Sequence, residues 1–330
     1  MRVLVTGGAG FIGSNYVRRL LDGTVAAEAV PERVVVLDAL TYAGNLANLD
    51  PVADDPRFEF RRGDIRDPEA VTAALRDIDT VVHFAAETHV DRSITGSAEF
   101  VTTNVLGTQV LLEASLEAEV RRFVHVSTDE VYGSVETGHS RETDPLEPNS
   151  PYAAAKAGSD LLARSYFRTH GLPVCITRCS NNYGPYQNPE KVIPLFVTNL
   201  LQGRTLPLYG DGQNRRDWLH VDDHCAALRL VAEGGTPGAV YNIGGGVELT
   251  NVELTTRILE AAGGDWSSVE RVTDRLGHDR RYAVDDSRIR HELGYAPHAS
   301  FEHGLAETVR WYRDNADWWK AQISEKGASA

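Results

Sequence analysis

The stretch "RVLVTGGAGFIGS", residues 2 to 14, decides the fold. It opens on a β-branched apolar run of the kind that makes a buried strand, and a periodic apolar segment from 11 to 22 reads as a helix. Between them Gly8, Gly10 and Gly13 fit G-x-G-x-x-G, while Gly7, Gly10 and Gly13 fit G-x-x-G-x-x-G. Both registers use the same physics. Residues without Cβ permit a tight turn and let backbone approach a pyrophosphate, which the positive end of the helix attracts. A glycine-rich turn alone often only joins two elements. Placed between a first strand and a first helix, this one predicts a dinucleotide site.

Outward from it, "RVVVLD" (33–38), "FEFRRGD" (58–64), "DTVVHFAA" (79–86), "RFVHVST" (122–128) and "PVCITR" (173–178) read as strands. Segments near 11–22, 68–76, 97–118 and 151–170 read as helices. The alternation predicts an α/β fold of Rossmann type, a doubly wound parallel sheet whose binding crevice lies beyond the carboxyl ends of its strands. After residue 180, Pro- and Gly-rich turns separate shorter elements, which predicts a smaller, irregular C-terminal substrate lobe. The expected division is an NAD-binding domain over 1–180, with about 218–245 ("DWLHVDD", "AVYNIG") returning to it, and a second lobe from 181–217 and 246–330.

Among 330 residues, 33 Lys and Arg face 47 Asp and Glu, a formal charge of −14 that disfavours nucleic acid and acidic membranes. A small anionic ligand therefore demands a locally basic pocket. No window approaches the roughly 18 apolar residues of a membrane span, and the chain opens on a strand rather than a basic, apolar leader. The expected setting is cytoplasmic, with no membrane partner. Cys175, Cys179 and Cys225 show neither a disulfide framework nor a C-x-x-C pair, so they are expected to be reduced and buried, and no metal is expected.

The second strand ends at Asp38, where a carboxylate accepts hydrogen bonds from ribose hydroxyls and repels a 2′-phosphate. NAD is expected rather than NADP. Asp64, closing the third strand, either meets the adenine edge or merely terminates the strand. The small residues of "FAAETH" (84–89) suit close packing against a cofactor or against a helix.

In "NSPYAAAKAGSD", Tyr152 and Lys156 stand i, i+4 on one helical face. A cationic amine favours phenolate, so Tyr152 is expected to accept a proton well below the ordinary phenol value of about 10. The strand "RFVHVST" runs straight into Asp129 and Glu130. Consecutive strand residues point to opposite faces, so both acids serve one substrate only if the backbone leaves the strand at Asp129. Burial and mutual repulsion would then split their protonation states. The other reading of "STDE" is a capping box, with Ser127 or Thr128 capping a short helix.

"TGGAGFIGS", "STDEVYG" and "YAAAK" together resemble the extended short-chain dehydrogenase/reductase family, and "TDEVYG" resembles its nucleoside-diphosphate-sugar 4,6-dehydratases. "FAAETHVDRS", "SNNYGPYQNPEKVIPLF", "LPLYGDGQNRRDWLHVDDH" and "YNIGGG" extend the resemblance over nearly the whole chain. It implies a lyase that uses NAD without net consumption, dTDP-glucose as substrate, and a homodimer formed through the helices near 97–118 and 151–170. It implies Tyr152 as base toward the sugar 4-hydroxyl with Lys156 beside it, Thr128 on the same oxygen, Glu130 as base at C5, and protonated Asp129 as acid to the departing 6-hydroxyl. Around the cofactor it implies Gly7, Gly10, Phe11, Ile12, Gly13, Asp38, Leu40, Thr41, Asp64, Ile65, Phe84, Ala85, Ala86, Thr103, Tyr152, Lys156 and Asn182. Around the nucleotide sugar it implies Thr88, Asp129, Glu130, Asn181, Lys191, Val192, Pro194, Leu195 and Phe196. Pro207, Leu208 and Tyr209 fall to the nucleobase with Asn251 assisting, Arg216 and His278 fall to the diphosphate, and Arg275 joins the substrate-binding set.

The arginines of "GQNRRDWLH" and "DRLGHDRRY" (Arg215, Arg216, Arg275, Arg280 and Arg281) offer the basic pocket that a diphosphate demands. Leu276 departs from the family, which usually reads proline there. The same-fold alternatives are a UDP-sugar 4,6-dehydratase and a nucleotide-sugar 4-epimerase; the latter has no need of two acids after the threonine. A non-enzymatic NAD-sensing protein is the alternative from another class. His220 and His224 imitate a metal pair but read as a strand end and an Asp-capped helix. Trp311, Trp318 and Trp319 read as packing residues, and "HVDRS" (89–93) as a turn with local charge pairing.

Overall fold

The first strand, β1 (Arg2–Thr6), divides its side chains between two cores: Val3 and Val5 join one and Leu4 the other. The computed structural model describes residues 1–24 and 30–327. Its further strands are β2 (Arg33–Asp38), β3 (Phe58–Arg62), β4 (Thr80–His83), β5 (Arg122–Thr128), β6 (Val174–Cys179), β7 (Asn181–Tyr183), β8 (Leu206–Tyr209), β9 (Arg215–His220), β10 (Val240–Ile243), β11 (Glu248–Thr250) and β12 (Val269–Val272). Seven of them form a wholly parallel sheet in the order β10-β6-β5-β4-β1-β2-β3. The winding direction reverses between β1 and β4, so a crevice opens at their carboxyl ends.

Helices Phe11–Asp22 and Val221–Gly234 cover one face through Tyr16, Val17, Leu20, Leu228 and Val231. Helices Pro68–Ala74, Thr108–Glu117 and Pro151–His170 cover the other through Val71, Leu111, Leu112 and Ala163. With both faces covered, the central strands are buried on both sides and largely apolar, with His83, His125 and Arg178 among the buried exceptions.

The smaller lobe has a three-stranded sheet, β11-β9-β7, and a parallel pair, β8 with β12. Helices Val192–Leu201, Asn251–Ala262 and Phe301–Asp314 close it around Ile193, Phe196, Trp218, Leu254, Tyr312 and Trp319. The segment 218–245 therefore divides. Through His220 it belongs to β9 in the small sheet; from Val221 it supplies a helix and then β10 to the large one. Trp318 reaches back to the first domain, donating from Nε1 to Asn48 Oδ1 at 2.9 Å, and Asn48 donates to the Ala9 carbonyl in the glycine loop at 2.9 Å.

Several local readings differ from the structure; the third strand, for one, ends at Arg62, before Asp64. The fourth strand stops at His83, and beyond it the Ala85 N–H donates to Thr6 Oγ1 at 3.4 Å. The helix expected over 97–118 contains a π-helical stretch, Val101–Gly107. "HVDRS" is a helix, Val90–Thr95, capped by His89; Arg92 leaves its own segment, approaching Glu190 at 3.6 Å and lying 4.1 Å over the Tyr42 ring. The helix after β9 is capped by the His220 ring, which accepts from Asp222 N, and not by an aspartate.

Leu4 is fully buried under the second layer of helices. Leu4→Ala should lower unfolding free energy by about 2–5 kcal/mol in chemical denaturation, the usual cost of such a cavity.

Candidate active site

The crevice is walled by the glycine loop, the ends of β2 to β6 and the segment after β7. The loop has no room for side chains. Gly7 has φ +69°, and a Cβ there would lie 2.6 Å from Ala85 N; a Cβ on Gly13 would lie 2.4 Å from the Gly7 carbonyl oxygen. Helix Phe11–Asp22 starts at Gly10 with no side-chain cap and no acidic residue in its first turn, so its leading N–H groups are left for an anion. Asp38 is fixed at the rim, accepting from Ala9 N at 2.9 Å and Leu40 N at 2.8 Å; burial raises its pKa against those two donors. These spaces and donors fit a dinucleotide with free ribose hydroxyls.

Phe11, Ile12, Thr41, Asp64, Ile65, Phe84, Ala85, Ala86, Thr103 and Asn182 complete this wall with Gly10. Leu40 does not; at φ +54° its side chain turns to the large core. Asp64 stands in the wall, but its carboxylate is gripped by Arg66 (Nη2 to Oδ2, 2.7 Å), which lowers its pKa. Both readings of that residue thus have a physical counterpart.

β5 delivers Thr128, and a 3₁₀ turn, Asp129–Tyr132, begins at once. Thr128 Oγ1 accepts from Glu130 N and donates to Asp129 Oδ1, both at 3.3 Å. The threonine is a helix cap, and the turn it caps brings both carboxyls to the crevice wall. Their electrostatics differ. Burial, then the carboxylates of Glu130 and Asp217, push Asp129 well above its ordinary value, and its Oδ2 is buried without a partner. Burial raises Glu130 too, but Arg275, Arg216 and Lys191 oppose it. Both acids are raised, and the nearby cations limit the rise at Glu130, so Asp129 holds its proton more firmly than its neighbour does.

Tyr152 and Lys156 share the crevice. The expected lowering of the phenol is not found. Burial, then Glu130, push Tyr152 well above its ordinary value, while the Lys156 ammonium donates instead to the Val126 carbonyl at 2.8 Å.

Of the residues expected around a nucleotide sugar, Thr88, Asp129, Glu130, Asn181 and Lys191 line the same crevice, and Lys191 Nζ donates to the Thr88 carbonyl at 3.1 Å. Arg216 and Arg275 stand close enough to act on Glu130. Arg216 lies 4.3 Å over the Tyr282 ring, and Arg275 Nε is a buried donor with no partner. Tyr209 meets the His278 ring edge-on at 6.3 Å, and His278 Nδ1 is 2.6 Å from Asp274 Oδ1. Alternation along β8 leaves Pro207 and Tyr209 half-buried and turns Leu208 into the lobe; Pro194 and Phe196 are likewise buried, with Val192 and Leu195 half-buried beside them. Asn251 follows the Thr250 capping box at the head of its helix. Arg280 and Arg281 do not join the basic group: they pair with Asp211 and Glu248, and Arg215 is exposed. Leu276 is largely exposed, at 77%. His224 is buried, with Nδ1 2.9 Å from Asn182 Oδ1, and among the described residues no three ligating side chains gather as a metal site would require.

The model of the GDP-mannose 4,6 dehydratase family matches residues 4–308. The chain belongs to that family. It is 60% identical to a dTDP-glucose 4,6-dehydratase of Streptomyces antibioticus over 97% of this chain and 95% of that one. DesIV, the dTDP-glucose 4,6-dehydratase of Streptomyces venezuelae solved with NAD and dTDP, superposes with a TM-score of 0.96 at 62% identity, covering 98% of this chain and 100% of that one. A UDP-glucose 4-epimerase of Thermotoga maritima superposes at 0.87 with 32% identity, covering 96% of this chain and 100% of that one.

For a member of this dehydratase family, the sequence reading passed over Glu87, Ser180, Gln187, Asn188 and Glu190, all polar residues of the crevice wall. Three of them lie in "YQNPEK", whose proline marks a turn, but turn chemistry does not say which side chains face inward.

The Asp129 shift has a consequence for stability. Between the unfolded value of about 3.9 and its raised folded value, the folded chain binds more protons than the unfolded one, so stability falls as pH rises through that window. Asparagine mimics the neutral acid. Asp129→Asn should therefore melt above wild type at neutral pH, with a gap that is small near pH 4 and widens upward until Asp129 ionises; a gap independent of pH would contradict this.

Proposed function

We propose that this chain is an NAD-dependent dTDP-glucose 4,6-dehydratase, a hydro-lyase that yields dTDP-4-keto-6-deoxy-glucose. One observation carries the choice: a single capped turn presents two buried carboxyls, Asp129 raised well above its ordinary value and Glu130 restrained by three cations, beside Tyr152. A 4-epimerase on the same fold has work for the tyrosine but none for this pair. Residues 1–180, with about 218–245, serve the cofactor side, and 181–217 with 246–330 serve the sugar nucleotide.

The glycine loop, Asp38 and the Phe84–Ala86 wall would hold NAD, which would supply the hydride acceptor at C4 and the hydride donor at C6. Tyr152 takes the proton of the 4-hydroxyl, and Thr128 hydrogen-bonds the same oxygen. Lys156 stands one turn further along the same helix face, its ammonium fixed by the Val126 carbonyl. The 4-keto group acidifies C5–H, and Glu130 removes that proton. Asp129, neutral through burial, donates its proton to the 6-hydroxyl, which departs as water. A proton returns to C5, so one water is lost and nothing is oxidised overall. Arg216 and the unpartnered donor of Arg275 suit the diphosphate, with Pro207 and Tyr209 on the base side.

We also propose a homodimer. Val101 (52% exposed), Leu106 (50%) and Leu161 (56%) leave an apolar face on the helical stretch after Ser97 and on helix Pro151–His170. Sedimentation should give a dimer, and Leu161→Glu should shift it toward monomer.

With dTDP-glucose, product analysis should find the 4-keto-6-deoxy sugar and no net reduced cofactor; recovery of only the C4 epimer would sink the reading. Glu130→Gln should suppress solvent deuterium entry at C5. Asp129→Asn should slow water loss more than C4 oxidation, each by about 10²- to 10⁴-fold. Parallel assays with UDP-glucose decide the base.

A further inference from the structure

Tyr132 ends the turn that Asp129 begins, and a buried polar chain that takes no part in the chemistry holds it. Its hydroxyl accepts from Arg178 Nη1 and donates to Asn242 Oδ1, each at 2.8 Å. Asn242 is itself fixed, donating from Nδ2 to the Ser140 carbonyl at 2.9 Å and from its backbone N–H to Glu142 Oε1 at 3.0 Å. Behind the tyrosine, Arg178 Nε donates to Asp160 Oδ2 at 2.9 Å, and the guanidinium lies 4.8 Å over the Tyr132 ring. The second Asp160 oxygen is 3.3 Å from His125 Nε2 on β5. Burial alone would raise the Asp160 pKa; His125 and Arg178 hold it low, so it stays ionised.

Asp160 follows Lys156 by one helical turn, as Lys156 follows Tyr152, so all three share a face of helix Pro151–His170. The chain Asp160, Arg178, Tyr132 thus starts on the helix that carries the redox pair and ends on the turn that carries the two acids. Packing alone could fill this space with apolar groups at no loss of stability, since a buried ion pair adds little over its hydrophobic replacement. Directional bonds fix separation and orientation, which apolar packing does less well.

We propose that Asp160, Arg178 and Tyr132 are positioning residues that set the distance between Tyr152–Lys156 and Asp129–Glu130. The inference rests on the roles assigned above to those four. It predicts that loosening the chain spares C4 oxidation and penalises elimination.

The test is single-turnover kinetics of the NAD-loaded enzyme with dTDP-glucose in deuterium oxide. Reduced-nicotinamide absorbance reports the first step, and deuterium at C5 with product formation reports the second. Tyr132→Phe should reduce nicotinamide at the wild-type rate with KM near wild type. Its product formation and C5 exchange should fall on the order of 10²-fold, the cost of a misplacement of about 1 Å, and reduced cofactor should accumulate. Asp160→Asn, which keeps the side-chain shape, should shift the partition in the same direction and decides the matter if Tyr132→Phe does not fold. A wild-type partition in both variants, or an equal fall in both steps, would overturn the proposal. Glu130→Gln separates the failures. If C5 exchange persists there, the base assignment falls and takes the positioning role with it; if it is lost there but Tyr132→Phe partitions normally, only the positioning role falls.

Discussion

The chemistry of the crevice depends on where β5 stops being a strand. Had the strand continued one residue past Thr128, the pleat would have sent Asp129 and Glu130 to opposite faces of the sheet. The Thr128 hydroxyl prevents this by accepting the Glu130 N–H, which starts a 3₁₀ turn at the sheet's edge. Helix capping is ordinarily a device of stability, worth about 1 kcal/mol. Here the same bond decides which side chains share a cavity.

Around that turn the protein keeps rigid backbone and buried charge in balance. The glycine loop admits no Cβ at Gly7 or Gly13, so the cofactor side is shaped by main chain. The acid side is shaped by side chains, several of them tied by hydrogen bonds: Tyr132 through Arg178 and Asn242, Lys156 through Val126 and Lys191 through Thr88. Asp129 Oδ2 and Arg275 Nε, like Ser127 Oγ, Asn181 Oδ1 and Gln187 Oε1, are buried without a hydrogen-bond partner, and on the proposed reading those two meet a proton transfer and an anion.

The sheet was legible because its signals are local. β1, β2 and β5 were bounded correctly, as were helices 11–22 and 151–170, since their apolar periods end at glycine, proline or a capping residue. The fourth strand ran too long because "FAA" is as apolar as the strand itself, and the Ala85 N–H finds its partner in the Thr6 hydroxyl, far away in sequence. Among the arginines, sequence could name candidates but could not choose. Arg280 and Arg281 differ from Arg216 and Arg275 only in which carboxylates the fold brings near them. The Tyr152 phenol was misjudged for a related reason. An i, i+4 lysine faces the tyrosine on an ideal helix, yet the Val126 carbonyl of the neighbouring strand competes for its ammonium.

Charge distribution joins the two halves of the site. A chain of net charge −14 gathers Arg216, Arg275 and Lys191 around one carboxylate, Glu130, and those three cations are what keep it more acidic than burial would allow. On the proposed reading, two of them are also the groups that suit the substrate's diphosphate. A dianion beside Arg216 and Arg275 cancels part of their field at Glu130, and with less positive charge in view the carboxylate becomes the stronger base. Asp129 receives less relief from Arg216 for the same reason, and its proton is held more firmly until the 6-hydroxyl takes it. Binding the nucleotide thus holds the proton on Asp129 more firmly and raises the proton affinity of Glu130, and a sugar without its diphosphate would meet a weaker base in the same geometry.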